Sequence, residues 1–391
     1  MREAVIVEAC RTPIARGYPI KGWLSGFHAT EVLSFALNGV IERAGIDRGD
    51  IDQVISGTVT QAGEQSGNNA RFSWLVKGDH HEVPATTVDC QCGSAQQALH
   101  MVNAFIKAGS IDVGIGSGLE MMSHVALGKN VGEGCGFFTP PNFPYDMPLD
   151  QFEAVVRICK NRGLTREELD KFGVWSQEKA IAATEAGYFK KEIIPIEAPV
   201  LGEDGQPTGE TRLVDRDQGL RESTLEKLST LRHVDSAGFT TAATSSQLSD
   251  GASAVLVMTR EKAKEFGLKP RARILYDVIV GADPYYLLDG PVDATHALLK
   301  KSGMSLNDMD LYEVNEAFAG VVLSWCKVFE PDMDKLNING GAIAIGHPVG
   351  STGTRMITTA LHLLERLDKS IALCTMCCGS AVATGTIIER L

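Results

Sequence analysis

The sequence predicts an α/β protein made of two related halves, with an inserted segment between them that covers one face. Three observations carry this expectation. An internal repeat recurs at a constant offset of 258 residues, the step from Ala44 to Ser302. Within each repeat, short apolar runs of strand type alternate with stretches whose apolar residues recur at helical spacing. Between the repeats, from Glu120 to about Thr244, glycine, proline and charge break up that alternation.

Taken in order, the segment from Ala44-Gly45-Ile46 to Asp50-Ile51-Asp52 matches Ser302-Gly303-Met304 to Asp308-Met309-Asp310. Each reads as a helix end with a glycine cap, then a turn entering a strand. Val54 to Val59 pairs with Tyr312 to Ala317. After Cys92, the helical pattern Ala98, Leu99, Val102, Phe105 and Ile106 overlays Met356, Ile357, Ala360, Leu363 and Leu364. Val113 to Ser117 then falls on Ile371 to Thr375, two runs of strand type. The boundaries that follow are 1–119 for the first core half, 120–245 for an inserted loop domain, 246–268 for a return to the first half, and 269–391 for the second half. The insertion holds Gly- and Pro-rich loops over Gly132 to Pro148 and helical stretches around Gln151 to Gly187. The return starts as a helix at Ser246 and runs into the apolar strand Ala254 to Met258.

Composition narrows the class of function. A net charge of -12, with no basic arm or strip of aromatic and arginine residues, argues against nucleic acid as a partner. A phosphate-bearing small ligand remains compatible, because local arginines and backbone N–H groups bind anions whatever the overall charge. Apolar runs stop well short of the roughly 20 residues a membrane span requires. Met1 to Ala9 reads as a strand and not as a signal peptide, and Glu389-Arg390-Leu391 is not a peroxisomal tripeptide, so the expected location is the cytoplasm. Nine cysteines, scattered and odd in number, point to free thiols.

Four segments could carry chemistry. Cys92 follows the extended run Ala85 to Val88 and precedes a helix, whose dipole and free N–H groups would favour a thiolate. The structural alternative is a small buried hydrophobe. His347 follows the paired glycines Gly340-Gly341 and precedes Pro348, which suits a first helical turn. At the 258-residue offset it corresponds to Asp89, so the duplication sets Cys92 and His347 at two equivalent helix entrances, where they could form a nucleophile and its base. A lone histidine is otherwise more often structural. Cys374, Cys377 and Cys378 cluster with Gly379 at the end of the last apolar strand. Their spacing, like that of Cys90 and Cys92, is poor for zinc, and a thiol acid or base beside an exposed backbone N–H fits better. Asn315 stands just past a strand expected at Leu311 to Val314, either to hold water or polarise a carbonyl, or simply to cap a helix.

Together these segments resemble the thiolase family over essentially the whole chain. Val88-Asp89-Cys90-Gln91-Cys92-Gly93-Ser94 is similar to the family's nucleophile segment, and Asn315-Glu316-Ala317-Phe318 to its Asn-Glu-Ala-Phe motif. Gly346-His347-Pro348 and Cys377-Cys378-Gly379 resemble the two remaining motifs. The resemblance implies a five-layer αβαβα fold, a loop domain that holds coenzyme A, and a homodimer or homotetramer. It also implies cleavage of a 3-ketoacyl-CoA by coenzyme A, or the reverse condensation, with coenzyme A as substrate and no permanently bound cofactor or metal. Cys92 would be the nucleophile, His347 its base, and Cys377 the second acid and base. One oxyanion hole would use His347 with a water held by Asn315, and the other the N–H groups of Cys92 and Gly379. Ser246 and Arg221 would touch the pantetheine and nucleotide parts of coenzyme A, and Phe318 and Leu149 are carried over with them as substrate or coenzyme A contacts.

The chain departs from the family pattern at Asp89 for Asn, at Ala95 for Gly, and at Ser380-Ala381 for the glycines after Gly379. Leu287-Leu288 stands where many members carry Met-Gly. That segment, with Thr86 to Cys92, is similar to actinobacterial thiolases of steroid side chains and suggests a bulky acyl group, with Phe137, Phe138, Phe143 and Tyr145 as candidate pocket aromatics. The competing readings are a biosynthetic acetyltransferase, a decarboxylating ketoacyl synthase and a silent acyl-CoA-binding subunit. Cys377 and Asn315 speak against the synthase, which usually pairs its cysteine with two histidines.

Overall fold

The computed structural model describes residues 2–131 and 138–391. Its strands in chain order are β1 (Ala4–Arg11), β2 (Ala15–Arg16), β3 (Gln53–Gly57), β4 (Ala85–Val88), β5 (Val113–Met121), β6 (Ile196–Leu201), β7 (Pro207–Val214), β8 (Ser249–Thr259), β9 (Ala272–Gly281), β10 (Leu311–Val314), β11 (Ile371–Cys378) and β12 (Val382–Arg390). All but β6 and β7 form one mixed sheet, ordered β10-β11-β12-β9-β1-β8-β5-β3-β4, with β2 beside β8. The order is symmetric about the β9-β1 junction, where Ile6 faces Ala272, apart from the extra edge strand β4. Parallel β3 and β5 in one half correspond to parallel β10 and β11 in the other.

The duplication extends to small details. Gly45 and Gly303 end their helices with φ of 69° and 71°, a left-handed cap that glycine adopts without a Cβ penalty. Asp52 accepts the N–H groups of Asp112 and Val113, and Asp310 accepts those of Ser370 and Ile371. The helices Ser94–Ala108 and Thr352–Leu367 begin 258 residues apart.

Those two helices form the middle layer. Leu99 and Val102 from one, with Met356, Ile357 and Ala360 from the other, share a core with Ile55 and Val257 of the first half and Ala372 of the second. The helices approach closely because Gly353 lacks a side chain: a Cβ there would lie 2.3 Å from the Gln96 nitrogen. Helix Ala29–Ala44 covers the outer face of the first half, burying Leu33, Leu37 and Val40 against Val54, Ile115 and Leu256. Helices Gly290–Ser302 and Ala319–Phe329 cover the second, where Leu298 and Trp325 meet Val314 and Leu373. Each such side chain contributes about 1.5–3 kcal/mol by leaving water. The two halves of the sheet thus flank the middle helices, with outer helices beyond each, giving five layers in the order helix, half-sheet, helix, half-sheet, helix. Among the described residues no helix is long and apolar enough to cross a membrane.

Three local expectations differ from the structure. Ser246 does not start a helix; its N–H bonds Ala317 O in an irregular segment, and β8 starts at Ser249. Pro348 lies in a turn, and the helix it was expected to open begins at Thr352. A further strand, β12, follows the cysteine cluster, so β11 is not the last. In the insertion, Phe138, Phe143 and Tyr145 are exposed by 66%, 37% and 58%, neither core nor the lining of an enclosed pocket. Phe137 and the start of the Gly- and Pro-rich loop at Gly132 lie outside the described residues.

At the base of the insertion, His124 Nδ1 lies 2.7 Å from Glu64 and Nε2 2.8 Å from Ser25 O, so both ring nitrogens donate and the ring is an imidazolium. The Glu64 hydrogen bond lifts its pKa to about 9. A pKa raised on folding stabilises fully below the unfolded value near 6.5 and is lost as pH climbs towards 9. For this half-buried pair about 1–2 kcal/mol is at stake. The melting temperature of wild type should therefore exceed that of His124→Gln at pH 6 and converge with it by pH 9.5, as read by calorimetry.

Candidate active site

The candidate catalytic residues stand at junctions between elements. Cys92 lies between the end of β4 and the helix that starts at Ser94, Asn315 follows β10 directly, and Cys377 and Gly379 flank the end of β11. His347 sits in the loop between helices Ala342–Ile345 and Thr352–Leu367. Glycines press the nucleophile loop against the second half: a Cβ on Gly93 would lie 2.6 Å from Cys378 Sγ. Gln91, with φ of 50°, lays its amide over Gly379, where a Cβ would come within 2.9 Å of Oε1. Ser380 and Ala381 adopt left-handed backbone with φ of 65° and 54°, at about 1–2 kcal/mol each for residues with a Cβ. The turn is held in place by Ala282 N–H donating to Ala381 O at 2.8 Å.

Cys92 is 6% exposed, and the backbone N–H groups of Gly379 and of Cys92 itself point at its sulfur. Burial nonetheless pushes its thiol up to about 12, with Glu120 adding to the rise. The helix entrance therefore does not yield a resting thiolate: desolvation of the sulfur outweighs the dipole and the two N–H groups. Cys377 is fully buried, and burial together with nearby Cys92 holds its thiol well above the usual range.

His347 is also buried and held neutral, its pKa lowered to about 3 by burial and by the Arg355 guanidinium. Its tautomer follows from its partners. Thr352 Oγ1 donates to Pro348 O at 2.9 Å, so it accepts from His347 Nδ1–H at 2.6 Å. Nε2 is thus left as an acceptor, with Asn315 Nδ2 at 3.4 Å. Ser249 Oγ accepts the His347 backbone N–H at 3.0 Å. Asn315 Oδ1 is buried without a hydrogen-bond partner among the described residues, as expected of a group that receives a donor from water or ligand. The neutral imidazole is left able to accept a proton at Nε2, and two backbone N–H groups bond the sulfur of Cys92.

The ligand-contact candidates are more dispersed. Phe318 is buried and stacks edge-on with Phe152 at 5.5 Å. Ser246 is half-buried in the irregular segment just before Ser249, the first residue of β8. Arg221 is partly buried and donates to Ala242 O at 3.0 Å. Leu149 is 94% exposed on the insertion, and its hydrogen bond runs to Glu153 without reaching the residues above.

Sequence patterns missed several residues that shape the site. Glu120 accepts the N–H groups of Val59, Thr60 and Gly350, joining the loop after His347 to the first half. Glu316 accepts from Ser176, Asn337 and Ile343 N–H, anchoring the loop that leads to His347. Glu316 was visible within its motif, but its partners are distant in sequence. Thr352 had a local signal, a hydroxyl five residues past the histidine. Among the described residues, no cluster of three or more histidine, cysteine or acidic side chains is disposed to hold a metal.

Comparison with known proteins is consistent along the full chain. Residues 4–261 match the family model of the thiolase N-terminal domain, and residues 268–390 that of the thiolase C-terminal domain. A steroid 3-ketoacyl-CoA thiolase of Mycobacterium tuberculosis is 42% identical over 100% of this chain and 95% of its own length. A 3-ketoacyl-CoA thiolase of Cronobacter sakazakii is 39% identical, with both chains covered in full. Among solved structures, the Bacillus anthracis acetyl-CoA acetyltransferase superposes with a TM-score of 0.89 at 31% identity, covering 100% of this chain and 99% of that one. Human mitochondrial 3-ketoacyl-CoA thiolase superposes at 0.87 and 32% over the same shares.

Proposed function

This chain belongs to the thiolase family, and on that premise we propose that it cleaves 3-ketoacyl-CoA with coenzyme A to acetyl-CoA and a shortened acyl-CoA. The observation that carries the reading is the set of buried side chains Cys92, His347 with Nε2 an acceptor towards Asn315, and Cys377, together with the Gly379 N–H. His347 Nε2 takes the Cys92 proton as the sulfur attacks the 3-keto carbon, so charge appears only in the reacting complex. The bond between C2 and C3 then breaks. Cys92 keeps the shortened acyl group as a thioester, and acetyl-CoA departs as an enolate that Cys377 protonates. The Cys377 thiolate next takes the proton of an incoming coenzyme A thiol. That thiol attacks the acyl carbon, and Cys92 leaves and regains its proton from His347.

Two sites of charge development are served by separate donors. The N–H groups of Cys92 and Gly379 receive the acyl oxygen, while protonated His347 and a water held by Asn315 receive the enolate oxygen. Coenzyme A is substrate here, with no permanently bound cofactor. Ser246, Arg221, Phe318 and Leu149 are read as contacts to the acyl-CoA or coenzyme A, with Leu149 the most exposed. A cytoplasmic homodimer or homotetramer completes the proposal, supported by free thiols and by the open sheet edge at β4.

For the acyl group we infer a bulky, ring-bearing chain of the kind met in steroid side-chain degradation. Leu287, Leu288 and Ala381 belong to the same apolar core as Cys377 and Phe318, and the chain is 42% identical to a steroid 3-ketoacyl-CoA thiolase. A large ring system that buries its apolar area in the acyl site gains several kcal/mol, at about 25 cal/mol per Å² buried, and acetoacetyl-CoA has no such area to bury. The test is kcat/KM for acetoacetyl-CoA, a medium straight-chain 3-ketoacyl-CoA and a steroid 3-ketoacyl-CoA. The ring-bearing substrate should lead by at least about tenfold. A lead for acetoacetyl-CoA would indicate a biosynthetic acetyltransferase, and no turnover of any of the three a silent subunit.

A further inference from the structure

Of the two N–H groups assigned to the acyl oxygen, that of Cys92 stands at the entrance of helix Ser94–Ala108, whereas that of Gly379 belongs to the turn between β11 and β12. The turn is strained, with Ser380 and Ala381 left-handed, and Ala282 N–H holds its far end at Ala381 O. Gly379 itself is not left-handed, so conformation does not require a glycine there. A neighbour does. The three atoms nearest to where a Cβ on Gly379 would lie are Gln91 Oε1, Cδ and Cγ, at 2.9, 3.5 and 3.5 Å. The Gln91 side chain therefore lies on the Gly379 backbone, across the boundary between the two halves.

Gln91 is in turn held on all sides. Its φ of 50° is a left-handed conformation that a residue with a Cβ rarely adopts. Its N–H donates to Asp89 Oδ1 at 2.7 Å, a side-chain turn that supports such a backbone. Its carbonyl accepts the Ser94 N–H at 2.9 Å and the Ser94 hydroxyl at 2.6 Å. Its Nε2 faces the same Asp89 carboxylate, 3.4 Å from Oδ2, which leaves Oε1 towards Gly379. Strain of this kind persists where the surroundings over-determine it, and it collects at sites of function. Neither Asp89 nor Gln91 has a part in the proton transfers.

We propose that Gln91, oriented by Asp89, is a positioning residue that holds the Gly379 N–H in line with Cys92 and so sets the acyl-oxygen hole from the other half of the fold. The role rests on the thiolase reading, whereas the contact between Gln91 and Gly379 does not. Gln91 acts through Gly379 and takes no proton. Both the attack on the substrate and the discharge of the acyl-enzyme develop charge on the same oxygen, so the effect falls on kcat and not on binding.

The test is a double-mutant cycle on kcat and KM, using whichever of the three 3-ketoacyl-CoA substrates named above the wild type turns over fastest. Gln91→Ala should lower kcat by about tenfold or more and leave KM within about twofold. Gly379→Ala should lower kcat by about 10²-fold, because its methyl group is driven onto Gln91 and displaces the N–H. In the Gln91→Ala background the same change should cost less than about threefold, since the space above Gly379 is then empty. Asp89→Asn keeps the acceptor for Gln91 N–H and should stay within about twofold of wild type, while Asp89→Ala should lose kcat as Gln91→Ala does. Should Gln91→Ala fail to fold, the exposed Asp89 decides: an Asp89→Ala protein with unchanged kcat overturns the proposal. Losses from Gln91→Ala and Gly379→Ala that simply multiply overturn it, as does a Gln91→Ala protein that raises KM at unchanged kcat. A wild type that turns over none of the three substrates refutes the thiolase reading and the role with it, whereas a wild type that turns over with multiplying losses refutes the role alone.

Discussion

Cys92→Ala abolishes acyl transfer, lowering kcat by about 10⁴-fold or more, while the protein keeps its fold. The change removes one sulfur from a loop held from other directions, by the Gly93 contact with Cys378 and by the Ser94 hydroxyl bonded to Cys90 N–H and Gln91 O. The cavity it leaves costs on the order of 1 kcal/mol, so the melting temperature should fall by only a few degrees. Mass spectrometry of wild type mixed with substrate should place the acyl adduct on Cys92. An adduct on Cys90 or Cys377 would sink the assignment, and so would a Cys92→Ala protein that still turns over. The thiol's high pKa sharpens this expectation. A sulfur that is neutral at rest reacts only when substrate and His347 are both in place, so labelling should depend on the acyl-CoA and on the base.

His347→Ala and Cys377→Ala should fail at different stages. Without His347 there is no group with a free Nε2 to take the Cys92 proton, so acylation itself should fall by about 10³-fold. Cys377→Ala retains that base and the Gly379 N–H, and an activated acyl-CoA whose leaving group needs no protonated enolate should still acylate Cys92. Full thiolysis should nevertheless drop by about 10²–10⁴-fold in this variant, because the enolate and the incoming thiol lose their proton partner. The measurement is a single-turnover assay that follows acyl-enzyme by mass and acetyl-CoA release in parallel. A folded Cys377→Ala protein that cannot be acylated by the activated substrate would show that the two residues do not divide the work in this way.

Much of the architecture was legible before any coordinates, because it depends on short-range patterns. Gly45 and Gly303 cap helices at equivalent points, Asp52 and Asp310 repeat the same hydrogen bonds, and Ser94 and Thr352 open equivalent helices, as the 258-residue offset requires. Strand β10 runs over Leu311–Val314, the range expected from its apolar run. The motif residues were likewise legible as types at fixed spacing. By contrast β12 was not, since Ala383, Thr384, Gly385 and Thr386 lack the apolar character of a buried strand. Their small size has a tertiary cause: the strand lies against Ser94–Ala108, with Gln96 bonded to Thr386 and Thr384, and against Gly290–Ser302, where Leu298 crowds Gly385.

What sequence alone determined is therefore the repeat and most of the elements, set by spacing along the chain, while the candidate reactive side chains were named by motifs that resemble the family's. The protonation of those side chains was decided only in three dimensions. From sequence, Cys92 at a helix entrance points to a thiolate, yet burial raises its thiol to about 12. His347 becomes a neutral base with a defined tautomer because Thr352, Pro348 and Asn315 surround it and Arg355 lies close by. A helix dipole is a local property that spacing reveals. Desolvation is the sum over every atom packed around a group, contributed here by both halves of the fold, and no pattern along the chain encodes that sum.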